Sequence, residues 1–182
     1  MPELSLSADS RIWSAVPDRE HALPWLNDLC EGRDESVIRD ILTAAELAVL
    51  TREAAQSGSV LLLCEPDAGL YAALTLLVPG LPAVTHESDA VRIALAATPS
   101  AWEPVAVPFE LHGMPAWRLT IVIDDGPNEG APRVIQTVRA IYIFALGGRL
   151  AVAQMSPLPP AASALAMPLA EELLASIEVA DA

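Results

Sequence analysis

Lysine is absent from this 182-residue chain, whose ten basic side chains are all arginines, set against 24 acids for a formal net charge of −14. The absence removes Schiff-base chemistry and the P-loop lysine. With so few cations to neutralise phosphates, no nucleic-acid partner is expected. Aromatics are scarce too: two Tyr, two Phe and four Trp. Only two cysteines occur, Cys30 and Cys64. They match no metal or redox spacing and read as buried thiols, one in a helix and one in a strand. Although 53% of the residues are apolar, no stretch of membrane-spanning length is free of charges or turn breakers. The best candidate, Val60 to Val84, is broken by Glu65, Pro66, Asp67 and Pro79-Gly80, so no membrane partner is expected. The N-terminal MPELSLSADSR has neither a basic start nor an apolar core, and the expected location is cytoplasmic.

Chemistry-bearing motifs are missing as well. His21, His86 and His112 are far apart, and His86-Glu87 lacks a second histidine at metalloprotease spacing. Asp124-Asp125 with Glu129 lacks the alternating ligands of a calcium loop and reads as a plain turn. There is no G-x-S-x-G, and Gly147-Gly148 stands between strands rather than before a helix, so it is no phosphate loop. No catalytic residue, metal or cofactor is expected.

What is present is legible as secondary structure. Arg133 to Ser156, RVIQTVRAIYIFALGGRLAVAQMS, reads as two strands joined by Gly147-Gly148, because two-residue hairpin turns need positive φ. A two-residue turn sets Leu146 opposite Arg149, followed by Ala145 with Leu150, Phe144 with Ala151, Ile143 with Val152 and Tyr142 with Ala153. Neither strand alternates cleanly between apolar and polar, so both faces are expected to be covered.

Before that hairpin, residues 11–16 read as a short strand ended by Pro17, and a helix follows from Asp18 to Gly32 with Trp25, Leu26, Leu29 and Cys30 at helical spacing. Asp34 is expected to cap a second helix ending near Gly58, with Ile38, Ile41, Leu42, Ala45, Ala48 and Val49 as its apolar stripe. Strands over 59–64 and 70–78 form a hairpin. A short helix over 88–97 has Ser88 as cap, and strands over 103–111 and 116–123 flank His112-Gly113. A solvent loop runs from Asp124 to Gly130. A closing helix, about 164–176, presents Leu165, Leu169, Leu173 and Leu174. This order gives an α+β fold, an antiparallel sheet of about six strands flanked by helices, in a single domain over 1–182.

The strand reaching Phe144, the tight turn, RLAVAQMS, the proline-rich break and the helix LAEELLASIEV resemble the closing elements of the PsbP-like α/β/α sandwich. That is the fold of photosystem-associated PsbP and Ran-binding Mog proteins; the layout also resembles acidic proteins of actinobacterial type. The resemblance implies a non-enzymatic binding, adaptor or chaperone-like module and carries over no functional residue. Among the tryptophans, Trp25 and Trp117 fit core stripes. Trp13 and Trp102 lie near element ends, where a partly exposed ring anchors a protein partner, and are the candidate partner-binding residues. The other reading, an enzyme or small-ligand carrier, needs a pocket assembled from scattered groups such as His112, Arg118 and Asp124. A homodimer is also expected, since an apolar-rich chain of this size leaves surface to bury.

Overall fold

The structure is a computed structural model that describes residues 4–55, 58–125 and 135–179. In chain order it contains β1 (Leu4–Leu6), β2 (Trp13–Ala15), α1 (Ala22–Cys30), α2 (Glu35–Ala54), β3 (Ser59–Glu65), β4 (Leu70–Leu77), α3 (Glu87–Ala97), β5 (Val105–Leu111), β6 (Met114–Asp125), β7 (Ile135–Leu146), β8 (Arg149–Met155), α4 (Pro160–Ala175) and β9 (Ile177–Val179). These fall into two compact units, Ser7–Leu77 and a larger one made of Met1–Leu6 with Val78–Ala182. Each unit is α+β, with antiparallel strands flanked by helices.

In the smaller unit β3 pairs with β2 on one side and β4 on the other. One face of these three strands presents Val60, Leu62, Cys64 and Ala73 to Ile41, Ala45 and Ala48 of α2, with Leu26, Leu29 and Cys30 of α1 packed around them. Trp25 ties α1 to the sheet edge, its Nε1 donating to Ser14 Oγ at 2.6 Å. Pro24 lies in the first turn of α1, where an N–H has no helical acceptor. Asp34 holds the N-cap position of α2 in extended backbone but makes no side-chain cap bond, and the helix ends at Ala54 rather than near Gly58.

The larger unit is built on the expected hairpin. Gly147 and Gly148 have φ of 55° and 74°, and Leu146 pairs with Arg149, Ile143 with Val152 and Tyr142 with Ala153, the register the two-residue turn requires. β6 lies against β7, and β5 against β6 across a second two-residue turn at His112 and Gly113, both at positive φ. Trp117, Leu119, Ile121, Ile141, Ile143, Leu150 and Val152 share one face of these strands and close on Ala90 and Ala94 of α3. That α-helix begins at Glu87, so Ser88 is inside it, and His86 holds the cap position without a side-chain bond.

The opposite face receives α4. The helix starts at Pro160, four residues before the expected start, because a proline is well placed at the first helical position. Its buried side chains are Ser163, Ala166, Ala170, Leu173 and Leu174, whereas Leu165 is exposed. Small residues line much of the inner stripe and let the helix axis approach the strands; of the four expected leucines Leu173 and Leu174 lie inward, and Leu165 does not. Three polar contacts pin the helix. The buried Tyr142 hydroxyl donates to the Met167 carbonyl at 3.2 Å, Arg118 pairs with Glu171, and His112 Nε2 lies 3.2 Å from the Leu174 carbonyl. Phe109 meets Tyr142 edge to face, ring centroids 6.3 Å apart. Burial pushes the Tyr142 phenol well above its ordinary range, and the nearby Glu171 carboxylate adds to the rise.

The short β1–β9 pair was not expected from the sequence; Leu4 meets Val179 and Leu6 meets Ile177. Asp124 and Asp125 extend β6 instead of opening a loop, and the rest of the expected loop, residues 126–130, lies outside the described residues, as do Arg133 and Val134. Among the described residues no helix is long and apolar enough to cross a membrane.

Two measurements check this arrangement. Ile143 is fully buried between β6 and β8, so Ile143→Ala is expected to cost about 2–5 kcal/mol in a urea melt through lost transfer energy and a residual cavity. Gly148→Val is expected to destabilise for another reason: a Cβ there meets no atom within 4 Å, but a β-branched residue resists the positive φ. A wild-type melt for either variant removes the hairpin from the centre of the unit. Alkaline titration gives the second check. With no lysine and arginines that stay charged, Tyr71 and Tyr142 are the only phenols that titrate. Both are raised by burial. A raised folded-state value contributes stability that is complete below the unfolded value and is lost as pH rises through the folded one. The Tyr71 phenolate is therefore expected to appear while the fold persists, and that of Tyr142 only as the chain unfolds. Tyr142→Phe is expected to delete that second step; two phenolates appearing together with native circular dichroism intact contradict the burial of Tyr142.

Candidate functional site

Helix α2 carries more apolar surface than its sheet requires. Ile41, Ala45 and Ala48 are fully buried and make the stripe that packs on β3 and β4. Leu42, Val49 and Leu50 stand on the adjoining arc, together with Glu46 and Glu53, at the spacing i, i+4, i+7, i+8, i+11 of one helix face. The single stripe read from the sequence is thus split in two: Leu42, placed in the core by that reading, is 44% exposed, and Leu50 is 53% exposed. The reason is geometric. A helix resting on a sheet buries a limited arc, and apolar residues beyond it stay open unless another element covers them.

α1 forms the second wall. Ala22 and Leu26 face the open arc of α2 across a groove of about 370 Å³ whose lining is completed by Ala45, Val49 and Arg19. Further along α1, Leu23 is 69% exposed. The rim is charged. Arg19 reaches Glu53 at 3.4 Å and Arg52 reaches Asp18 at 3.2 Å, two solvated pairs that join the turn before α1 to the last turns of α2. Such pairs contribute little energy, and their effect is positional, closing one end of the groove. Glu46 stands on the open side as an exposed acid. An apolar floor rimmed by two ion pairs and Glu46 has no nucleophile in it; what it offers is burial for an apolar stripe, with Glu46 the acid outside those pairs to attract a cation.

The residues singled out in the sequence lie elsewhere. Trp13, expected as a partly exposed anchor, is only 5% exposed, because β2 runs beside β3 and turns the ring inward. Trp102 is 54% exposed, as expected for an anchor, and its Nε1 donates to Asp124 Oδ2 at 2.9 Å. His112 and Arg118 both reach the last turns of α4, at the Leu174 carbonyl and Glu171, whereas Asp124 engages Trp102. The three do not converge on one pocket. Among the described residues no group of three His, Cys, Asp or Glu is placed to hold a metal ion, and Glu129 lies outside them. Cys30 and Cys64 are free thiols in one apolar cluster; burial pushes the Cys64 thiol up, away from the reactive thiolate. The groove itself was missed. The available signal was the angular spread of the apolar positions on α2, where Leu42, Val49 and Leu50 lie beside the stripe of Ile41, Ala45 and Ala48.

No protein-family model and no curated protein matches the chain. A solved structure from Bacteroides thetaiotaomicron VPI-5482 is similar over 67% of this chain and 39% of its own length, at 15% identity and a TM-score of 0.38. The matched region is therefore well under half of that protein.

Proposed function

We propose that this chain is a non-enzymatic, intracellular protein-binding module whose docking site is the groove between α1 and α2, and that its partner presents an amphipathic helix with a basic flank. The observation that carries the reading is the open apolar arc of α2, Leu42, Val49 and Leu50, facing Leu26 across a preformed groove. An apolar patch rimmed by polar residues is a common mark of a protein interface. Two packed helices with an open seam accept a third through anchors at i, i+3 or i+4, and i+7. Charge selects among such helices: Glu46 borders the groove outside the Arg19–Glu53 pair and the whole chain carries −14, so a basic flank is attracted and an acidic one repelled. The resemblance to PsbP-like binding modules supports the same reading by analogy of fold, and the two free cysteines are consistent with a cytoplasmic setting. A second copy of the chain is a poorer fit to the groove, because it carries the same net charge of −14.

Selection of displayed helical peptides on the immobilised full chain tests this. The expected enrichment is for Leu, Ile or Phe at helical spacing flanked by Arg or Lys, and Leu42→Glu with Leu50→Glu is expected to weaken binding at least about tenfold. Both positions are solvent-exposed, so the melt should hardly change. Enrichment that is absent, or identical on the double variant, defeats the proposal. Light scattering that gives twice 19.2 kDa for the wild type and the monomer mass for the double variant makes a second copy the occupant instead.

A further inference from the structure

The exposed Trp102 in the larger unit is held in place, and how it is held indicates what it recognises. Its backbone N–H donates to Ser100 Oγ at 3.0 Å, and that hydroxyl in turn donates to the Val122 carbonyl at 2.8 Å. Its indole Nε1–H donates to Asp124 Oδ2 at 2.9 Å. The segment between α3 and β5 is thereby tied to β6 at both main chain and side chain, yet the ring stays 54% exposed. An exposed tryptophan needed only for packing has no use for such fixing. A ring that must meet a ligand does, since ordering it beforehand removes that cost from binding.

We infer that Trp102 and Asp124 form a recognition site for an arginine side chain of a protein partner. The indole N–H is already used, so the feature left for a ligand is the π face, whose negative potential attracts cations more strongly in tryptophan than in any other ring. Asp124 places a carboxylate at the edge of that face, its indole contact using only Oδ2 and Oδ1 making no further bond among the described residues, and Glu103, next in the chain after Trp102, is exposed. A planar guanidinium satisfies both at once, stacking on the ring while donating to the carboxylate; an ammonium offers no plane to stack. The excess of 24 acids over ten bases steers cations toward the chain. This inference does not depend on the α1–α2 groove, which involves none of these residues.

The test uses the ¹⁵N-labelled full chain and its four indole N–H resonances, with that of Trp102 identified by its loss in Trp102→Phe. The probes are the capped tripeptide Gly-Arg-Gly, the same peptide with neutral citrulline, and choline. Saturable movement of the Trp102 resonance by the arginine peptide and not by the citrulline peptide is expected. Asp124→Asn keeps an acceptor for the indole N–H and removes the charge, and is expected to weaken the arginine peptide about tenfold. Should that variant disturb the free spectrum, Trp102→Leu, read at the Asp124 backbone amide, takes its place, and binding is expected to fall there too. Equal shifts from citrulline, equal shifts at all four indoles, or undiminished binding in the readable variant overturn the proposal. Choline acting as strongly as the arginine peptide overturns it in favour of a general site for organic cations.

Discussion

Positive φ at Gly147 and Gly148 is the constraint on which the larger unit depends. A two-residue turn permits one register, and side chains alternate between faces, so a slip of one residue would exchange the two faces of β7 and β8. The permitted register sends Ile141, Ile143, Leu150 and Val152 toward α3 and Tyr142 toward α4. β6 then follows from β7, and its own alternation continues the division: Trp117, Leu119 and Ile121 to the α3 side, Arg118 to the α4 side. Each helix is chosen by what its face offers. The α3 side is closed by alanines on bulky aliphatics, and the α4 side is closed by small residues together with three polar ties.

Those polar ties give α4 an orientation that its stripe alone does not specify. A helix with alanines inward can slide along a sheet at little cost, because each alanine fills much the same space as the next. A hydroxyl, a guanidinium and an imidazole reaching successive turns of the same helix oppose the sliding, the fully buried Tyr142 hydroxyl most of all, since a buried donor that loses its acceptor costs more than a methyl that moves. The groups that looked in the sequence like components of a scattered site, His112 and Arg118, are used for this purpose.

In the smaller unit the same helix-on-sheet packing leaves something over. The sheet consumes one arc of α2, and α1 lies alongside without covering the next one. Open leucines cost solubility, and the charged rim beside them, two ion pairs with Glu46, helps keep such a surface in water. Exposed Trp102 in the larger unit follows a related pattern of apolar surface next to fixed negative charge.

Local rules were enough for the elements and for two turns. Gly-Gly between β-branched runs specified the hairpin of β7 and β8 and its register, and Trp117 lies in the core as its stripe required. Both signals are set by backbone geometry within a few residues, which is why the chain alone carries them. Caps were less legible, since Asp34 and the residues around Ser88 can hold a cap position without their side chains making the bond. What tertiary structure decided is which apolar residues are used. Leu42 and Leu165 have the same periodicity as their buried neighbours and lie in the open; Trp13 has the flanks of a surface residue and lies inside. Periodicity specifies an angle around a helix or a side of a strand, but burial depends on whether another element occupies that direction, and only the folded chain supplies that element.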